Sequence, residues 1–571
     1  MLKKLPIGYD DFKEVASGKY YYVDKTLFIK ALLDDGAKVN LFTRPRRFGK
    51  SLNISMLRYY FERPLDGNSN RNLFEDKKIF QAGEEYLAYE EQYPVIQLSL
   101  KSAKQPTWEM AYKMLIRQIS EEFKRHCSII KDGKLEESDI LRFQSIMSES
   151  AEQINYSDSL RFLSYCLAEC YGKKVVILVD EYDVPLENAY FEGFYNEMVQ
   201  FMRSWMESAF KTNVSLEFAV ITGCLRISKE SIFTGLNNLK INSIMGNAYG
   251  EYYGFTQQEL DEILAYYDLK DRRELIREWY DGYLFGKKEV YNPWSVVNFV
   301  TDTLKESDAL PIEYWSNTSS NSIVRELIAH ATLDVKEEIE HLICGGIIEK
   351  KLHEDITYAE IYDNPENLWN FLYFTGYLKA VEIKAEGNDR VARLSIPNIE
   401  ILKIYQEHII KWTQETIKKK DLSALYTAFL AGKEEAIEKE LAPLLVSSIS
   451  YLDSKEDFYH GFILGLLMNM EGYYILSNRE VLDGRYDISI ERADGFGIPV
   501  IVEFKVAGRR NEMLSKAEEA LLQITQKRYN MPFQESGYES CIHVGIGFYR
   551  KMCRVKCQTQ ALEMIDFVYR L

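Results

Sequence analysis

Residues 44 to 51 hold a group of side chains suited to binding phosphate. The segment reads Arg-Pro-Arg-Arg-Phe-Gly-Lys-Ser and ends in Gly49, Lys50 and Ser51. These three residues match the end of the pattern G-x-x-x-x-G-K-S/T, in which backbone N–H groups and the lysine bind phosphates and the hydroxyl binds magnesium. The tripeptide also occurs by chance, and Lys50 is then an exposed residue at the start of a helix.

The rest of this loop departs from the pattern by its charge. Arg44 stands where the first glycine is usual, and Pro45 stiffens the loop. Arg46 and Arg47 make the loop strongly cationic, so the three arginines are candidates for contact with phosphate. The alternative is a solvated basic loop.

Two acidic residues follow an apolar run further along the chain. The run at 174–179 is typical of a strand buried in a parallel sheet, and Asp180 and Glu181 come directly after it. An acid at such a strand tip can hold magnesium, and the next carboxylate can polarise the attacking water. The alternative is a strand end with two solvated acids. The order of the two groups favours nucleotide binding, with ATP and Mg²⁺ as the predicted ligands.

Two further residues are weaker candidates for the same site. Thr222 lies at the end of the next apolar run, 216–223, where a polar group could sense the γ-phosphate or orient the water. Arg226 could supply positive charge to the transition state, in cis or across a subunit. Both residues are equally consistent with an ordinary turn.

A separate group of charged residues lies near the carboxyl end of the chain. Residues i and i+2 of a strand share a face, so Glu503 and Lys505 project together, and a predicted hairpin brings Asp487 beside them. Two carboxylates and a lysine can bind Mg²⁺ and activate a water for attack on a phosphodiester. Gln523, on a predicted helix, could support this site. The alternative for Glu503 and Lys505 is a surface ion pair.

These candidates need a sheet whose strands end at a common edge. Apolar runs that alternate with helical stretches predict a doubly wound α/β domain with a parallel sheet over residues 1 to about 250. Helices with charged faces are predicted from about 255 to 435, with Ser295 starting one of them. An apolar helix at 458–470 and strands around 486–505 are predicted in the last region.

The composition is that of a folded protein with several domains. Of 571 residues, 46% are hydrophobic and 27% are charged, which excludes a disordered chain and a small disulfide scaffold. The net charge of −17 argues against a general nucleic-acid binder. Residues 1–63 nevertheless carry +6 and residues 484–571 carry +2, which leaves −25 for the rest. The phosphate loop and the carboxylate–lysine group therefore lie in the least acidic parts of the chain.

The sequence shows no pattern for zinc-binding cysteines or for export. The eight cysteines include no C-x-x-C pair. The N-terminus lacks the apolar run of a signal peptide, and no uncharged apolar stretch reaches the roughly 18 residues that span a bilayer. We predict a soluble, cytoplasmic protein without a membrane partner.

Taken together, these residues resemble bacterial and archaeal proteins that join an N-terminal AAA-ATPase-like domain to a C-terminal PD-(D/E)XK nuclease-like domain. The motifs that carry the resemblance are Tyr-Val-Asp-Lys-Thr at 22–26, the loop at 44–51, Asp-Glu-Tyr-Asp at 180–183, Thr-Gly at 222–223, Tyr-Asn-Pro-Trp-Ser at 291–295, Gly-Arg-Tyr-Asp at 484–487 and Glu-Phe-Lys at 503–505. The resemblance implies that an arginine at position 44 is normal.

The resemblance also implies roles for the candidate residues. It assigns Lys50 and Ser51 to Walker A, and Asp180 and Glu181 to Walker B. The nuclease core and its accessory position are matched by Asp487, Glu503, Lys505 and Gln523. The acidic residue usual on the first helix of the nuclease domain has three candidates, which are Glu456, His460 and Glu471.

The implied fold is α/β and has three parts. A P-loop NTPase core of the AAA type, with its parallel sheet, is expected over 1–255, a helical middle region over 256–435, and an α/β domain of the restriction-endonuclease type over 436–571. The predicted protein binds and hydrolyses ATP and cleaves DNA with Mg²⁺, and nucleotide gates the cleavage. Self-association into a homo-oligomer is a further prediction. The alternatives are a nucleotide-switched module that binds nucleic acid or protein without cutting, and a scaffold with two inactive sites.

Overall fold

A computed structural model describes most of the chain. The described residues are 2–226, 236–315, 332–343, 345–354, 358, 360–361, 364–387, 389–406, 421–448, 456–468, 470–477, 480–481 and 484–562. The chain divides into two compact units. The first unit comprises Met1–Leu327 and Gly345–Ile404, and the second comprises Ile328–Cys344 and Tyr405–Leu571.

The first unit is built on a parallel sheet of five strands in the described residues. The strands are β1 (Val39–Thr43), β2 (Val95–Ser99), β3 (Val175–Asp180), β4 (Leu216–Gly223) and β5 (Leu239–Asn242). Their order is β2-β3-β4-β1-β5, and each neighbouring pair is parallel. Every residue of β1 and β3 is buried, and for β3 the continuous apolar run at 174–179 predicts this burial. The predicted parallel α/β core is confirmed.

The helices of the first unit connect and cover these strands. Their bounds are Phe12–Ser17, Leu27–Asp35, Lys50–Phe61, Glu84–Leu87, Trp108–Arg125, Glu137–Met147, Gln153–Ser157, Ser159–Tyr171, Val184–Glu192, Tyr195–Phe210, Gln257–Tyr267, Arg273–Tyr280, Pro293–Lys305 and Pro365–Phe374. The carboxyl ends of parallel strands share one edge of a sheet, so the residues that follow β1, β3 and β4 are brought together there.

The middle of the chain contains strands as well as the predicted helices. A short hairpin joins β6 (Tyr283–Phe285) to β7 (Lys288–Val290). Three antiparallel strands, β8 (Ile348–Leu352), β9 (Lys379–Glu386) and β10 (Asp389–Ser395), pair in the order β8-β10-β9. Strands that are close in sequence can pair through short turns. Helical periodicity does not reveal such strands.

One helix of this region begins two residues before the predicted start. The helix Pro293–Lys305 is capped by Asn292, whose side chain accepts a hydrogen bond from the N–H of Trp294. Proline is favoured at the first helical position because its missing N–H would be unpaired there. Ser295 instead donates from its hydroxyl to both carboxylate oxygens of Glu400, at 2.9 Å.

The second unit contains a mixed sheet. Its strands are β11 (Tyr473–Ser477), β12 (Glu480–Val481), β13 (Gly484–Arg485), β14 (Ile488–Arg492), β15 (Val500–Val506), β16 (Ser540–Tyr549) and β17 (Met552–Ala561). The main order is β11-β14-β15-β16-β17, with β15 and β16 parallel and the other pairs antiparallel; β12 pairs with β13. The helices of this unit are Leu333–Ile343, Ser423–Leu430, Glu434–Ser448, Glu456–Leu467, Met513–Gln526 and Met531–Glu535.

Alternation along β15 places its polar residues on the face opposite to the main core. Val500, Val502 and Phe504 belong to a buried cluster with β16 and the helices, so Glu503 and Lys505 project from the other face. The helix Met513–Gln526 packs closely against β16. A Cβ atom at Gly545 would overlap the carbonyl oxygen of Ala517 and lie 2.6 Å from the amide nitrogen of Leu521. Only glycine allows this close approach.

We expect Gly545→Ala to lower the melting temperature of the second unit. The added methyl group must displace the helix, and such overpacking costs about 1–3 kcal/mol of unfolding free energy. The matched control is Gly465→Ala in the helix Glu456–Leu467, where nothing lies within 4 Å of the new Cβ. This control should be more stable by up to about 1 kcal/mol because alanine favours helix. Calorimetry that shows equal shifts for the two variants would contradict the close packing.

No helix in the described residues is long and apolar enough to cross a membrane.

Candidate functional sites

The phosphate-binding candidate is a loop between β1 and the helix Lys50–Phe61. Gly49 precedes the first helical residue and has φ of 82°. Arg47 has φ of 68°, in the left-handed region that non-glycine residues seldom adopt. These two backbone conformations reverse the chain, so that the loop leads directly into the helix. The N-terminal N–H groups of a helix preceded by such a loop are suited to binding anions.

Lys50 is held inside the loop. Its ammonium group is buried and donates to the carbonyl oxygens of Arg44, at 3.0 Å, and Pro45, at 2.9 Å. It also lies 3.6 Å from the Sγ atom of Cys224. The lysine that the sequence assigns to phosphate binding is therefore fixed by backbone carbonyls of the loop itself.

Ser51, Asp180 and Thr222 meet at the carboxyl edge of the sheet. The Ser51 hydroxyl donates to Oδ2 of Asp180 at 2.6 Å, and the Thr222 hydroxyl donates to Oδ1 at 2.5 Å. Residues from three separate elements thus meet at the Asp180 carboxylate. Hydroxyl and carboxylate oxygens are ligands that Mg²⁺ prefers, so Ser51 and Asp180 fit a magnesium site.

Glu181 occupies a left-handed conformation next to Asp180. Its φ is 55°, and its N–H donates to the hydroxyl of Thr222 at 3.4 Å. Burial, together with the neighbouring charge of Asp180, raises the pKa of the Glu181 carboxyl. A carboxylate with a raised pKa has a higher affinity for protons and is suited to general-base catalysis.

A cavity of about 490 Å³ lies against this loop. Lys50, Ser51 and Glu181 line it, and its volume is in the range of small-molecule sites. Aromatic and apolar residues far apart in sequence complete the wall, namely Leu5, Tyr9, Tyr21, Tyr22, Val23, Tyr252, Phe255, Trp294 and Val297. Sequence analysis missed most of this wall, because no local spacing links residues 5–23 to residues 252–297.

Arg44 does not line this cavity. Its buried guanidinium donates to the carbonyl oxygens of Thr43, at 2.8 Å, and Asn242, at 2.6 Å. The group lies over the ring of Tyr253 at 5.0 Å, and burial lowers the pKa of Arg44 to about 10. Arg44 thus joins the ends of β1 and β5. The structure places it in the framework of the loop, in contrast to the predicted contact with nucleotide.

Arg46 and Arg47 do line the cavity. Arg46 forms an ion pair with Glu187, with NH2 2.5 Å from Oε2. Arg47 lies over the ring of Trp294, with the guanidinium carbon 4.1 Å from the ring centre. A bound phosphate would compete with these contacts.

Arg226 lies outside the lining of the cavity. Its guanidinium is 3.6 Å from the carboxylate of Glu354, which also accepts a hydrogen bond from Ser243 at 2.6 Å. Thr222, four residues earlier, reaches Asp180, whereas Arg226 is directed to a different acid. The structure therefore brings the first of these two candidates to the site and not the second.

The second unit brings Asp487 and Glu503 together. The antiparallel pairing of β14 with β15 sets Ile488 opposite Val502, and Asp487 precedes this pair. Asp487 accepts the N–H of Phe504 at 2.8 Å on Oδ2, and its own N–H donates to Oε2 of Glu503 at 3.3 Å. The predicted hairpin and the predicted proximity of the two acids are present.

Glu503 is buried and contacts the other two candidates. Oε1 of Glu503 accepts a hydrogen bond from the side-chain amide of Gln523 and lies 3.7 Å from Nζ of Lys505. The amide of Gln523 also donates to the hydroxyl of Tyr529 at 3.3 Å. Burial is the main cause of a raised pKa for Tyr529. Sequence analysis missed Tyr529 as a member of this group.

His460 is the first-helix candidate that lies at this site. Its Nε2 atom is 3.0 Å from the carbonyl oxygen of Asp487 and 2.9 Å from the hydroxyl of Ser477. Glu471 is exposed in a turn before β11, and the side chain of Glu456 lies outside the described residues. In the described part of the chain, no three His, Cys, Asp or Glu side chains form a metal-binding group. The carboxylates of Asp487 and Glu503 offer hard oxygen ligands that suit Mg²⁺.

Comparisons with known proteins match the two regions separately. Residues 6–233 match the family model described as predicted AAA-ATPase, and residues 454–558 match the model of the PD-(D/E)XK nuclease superfamily. A relative in Azotobacter chroococcum mcd 1, named "Uncharacterized protein in vnfD 5'region", is 25% identical over 565 residues. The match covers 96% of this chain and 97% of the relative. The predicted combination of domains is confirmed.

Proposed function

Since the chain contains an AAA-ATPase-like domain and a PD-(D/E)XK nuclease-like domain, we propose that it hydrolyses ATP and cleaves DNA with Mg²⁺, and that nucleotide gates the cleavage. The observation that carries this proposal is the meeting of Ser51, Thr222 and Glu181 around Asp180 beside a cavity lined by the phosphate loop. The nuclease part rests on the contacts among Asp487, Glu503, Lys505 and Gln523.

In the proposed ATPase reaction, Lys50 leaves the loop carbonyls and binds the outer phosphates. Ser51 and Asp180 would hold Mg²⁺, and Thr222 keeps the Asp180 carboxylate in position. Glu181 accepts a proton from the attacking water. The water oxygen bonds to the γ-phosphorus, the bond to the bridging oxygen breaks, and ADP and phosphate are released.

In the proposed nuclease reaction, Asp487 and Glu503 would hold Mg²⁺. Lys505 orients the attacking water and neutralises charge on the phosphate. Gln523 fixes the carboxylate of Glu503 through its hydrogen bond. In both sites a bound Mg²⁺ supplies positive charge to phosphate oxygens and favours ionisation of a bound water.

The second candidate function is nucleotide-controlled binding without cleavage. It is favoured by one observation, which is that His460 lies beside Asp487 where an acidic residue is usual. DNA is the proposed partner in both cases, since the phosphate loop and the carboxylate–lysine group lie in the least acidic parts of the chain. The three-part division at 255 and 435, self-association and a cytoplasmic location stay predictions.

The test is a cleavage assay on single-stranded, double-stranded and plasmid DNA and on RNA, with and without ATP and Mg²⁺. We expect the protein to nick DNA in the presence of Mg²⁺, at a rate that ATP changes. Lys505→Ala should lose this nicking because the phosphate charge is no longer neutralised. The matched control is Lys516→Ala, a lysine on the following helix that pairs with Glu519. Nucleotide-dependent DNA binding without nicking would favour the second candidate function, and equal nicking by the wild type and Lys505→Ala would contradict the nuclease site.

A further inference from the structure

Lys101 lies beside the Asp180 carboxylate, although no motif identifies it. It belongs to the short 3-10 turn Leu100–Ala103, which directly follows β2. In the sheet, β2 neighbours β3, and Ser99 is paired with Asp180. The carboxyl ends of these two strands therefore bring Lys101 to the same edge as the candidate magnesium ligand. Lys101 also lines the cavity at the phosphate loop.

The ammonium group of Lys101 is shared between two acids. Its Nζ atom is 2.9 Å from Oδ2 of Asp10 and 3.9 Å from Oδ2 of Asp180. Burial by itself would lower the pKa of Lys101, but the carboxylates of Asp180, Asp10 and Glu181 outweigh it and raise this pKa. The side chain is 41% exposed, so it keeps access to a ligand in the cavity. Lys101 is thus a charged group that is not enclosed by its partners.

Four other cations near the loop contact partners other than Asp180. These pairs are Lys50 with the carbonyls of Arg44 and Pro45, Arg46 with Glu187, Lys25 with Glu259, and Arg226 with Glu354. Arg226, which the sequence analysis considered for charge stabilisation of the transition state, does not line the cavity. Lys101 does line it and lies beside both Asp180 and Glu181.

We propose that Lys101 is a catalytic residue that contacts the γ-phosphoryl group during ATP hydrolysis. The assignment rests on the proposed ATPase function. Mg²⁺ held by Asp180 would offset the negative charge of this carboxylate and so weaken its attraction for Lys101. The ammonium group then turns to the phosphoryl oxygens, where charge is spread in the transition state. Lys101 keeps its proton throughout, and Glu181 receives the proton of the water.

The test compares Lys101→Ala, Lys101→Arg and the control Lys113→Ala, an exposed lysine on the helix Trp108–Arg125. We expect Lys101→Ala to lower kcat by about 100-fold, as for loss of one group that stabilises the transition state. ADP binding should change less than about two-fold, whereas binding of ADP with aluminium fluoride and Mg²⁺, which mimics the transition state, should fall by about the same factor as kcat. Lys101→Arg should recover part of both losses.

Three results separate the possible failures. Unchanged kcat in Lys101→Ala would overturn the assignment. Equal losses in the binding of ADP and of the aluminium fluoride complex would also overturn it, because a residue that only supports the cavity affects both ligands alike. If Lys50→Ala loses ATP hydrolysis and Lys101→Ala keeps it, the role of Lys101 is overturned and the ATPase function is supported. Absence of hydrolysis in the wild type overturns both. If Lys101→Ala fails to fold, partial activity of Lys101→Arg with intact ADP binding is the deciding measurement.

Discussion

Lys50→Ala is expected to lower kcat for ATP hydrolysis by about 100-fold to 1000-fold and to weaken nucleotide binding. The Lys50 ammonium group is buried inside the phosphate loop, where its charge is screened little by water. Its two hydrogen bonds to loop carbonyls show that the group can reach the concave side of the loop without rearrangement of the backbone. Loss of one such group that stabilises a transition state typically costs this much.

The measurement is phosphate release at saturating ATP, together with nucleotide binding by calorimetry. The matched control is Lys270→Ala, since Lys270 is exposed, belongs to the same unit and does not line the cavity. The control should keep wild-type turnover. Equal turnover in Lys50→Ala and the wild type would contradict the phosphate-loop assignment, whatever the nuclease site does.

Asp487→Ala is expected to lower DNA cleavage by at least about 100-fold while ATP turnover stays unchanged. Removal of this side chain takes away one of two carboxylates available to Mg²⁺ and leaves Glu503 as the single acidic ligand of the pair. It also removes the acceptor for the N–H of Phe504, so the substitution Asp487→Asn, which keeps an oxygen acceptor, separates the loss of charge from the loss of the hydrogen bond.

The control for this prediction is Asp494→Ala. Asp494 is an exposed acid between β14 and β15 that pairs with Arg492 at 3.1 Å, so it matches the change in charge within the same sheet. Plasmid nicking at several Mg²⁺ concentrations is the measurement. Nicking by Asp487→Ala and Asp487→Asn at the wild-type rate would show that this pair of carboxylates does not hold the metal.

The same two variants test the proposed gating. If nucleotide controls cleavage, Lys50→Ala should lose the effect of ATP on nicking, whereas Asp487→Ala should keep normal ATP turnover. An effect of ATP on nicking that survives in Lys50→Ala would contradict control through the phosphate loop. The pair therefore distinguishes two independent enzymes on one chain from a coupled system.

Much of the fold was predictable because its signals are local. The apolar runs at 174–179 and 216–223, which form β3 and β4, are local in sequence, and a strand buried on both faces requires such a run. The strands of the middle region were missed, since β9 is mostly exposed and both β9 and β10 carry several charged residues.

By itself the sequence determined the chemical groups that could act and several of their positions. Gly49, Lys50 and Ser51 are adjacent, and Asp180 and Glu181 end a buried strand, so chain connectivity fixes their arrangement. In the same way, Glu503 and Lys505 share a face because strands alternate. Such relations need no knowledge of distant contacts.

Which cations reach the phosphate site depends on contacts between residues that are far apart in the chain. Arg44 belongs to the motif, yet packing buries it between the ends of β1 and β5. Arg226 pairs with Glu354, more than 100 residues away in sequence, while Lys101 is brought beside Asp180 by the order of the strands. A charged side chain takes the partner that folding places within reach, and the distance between residues far apart in the chain is set by packing rather than by their spacing in sequence.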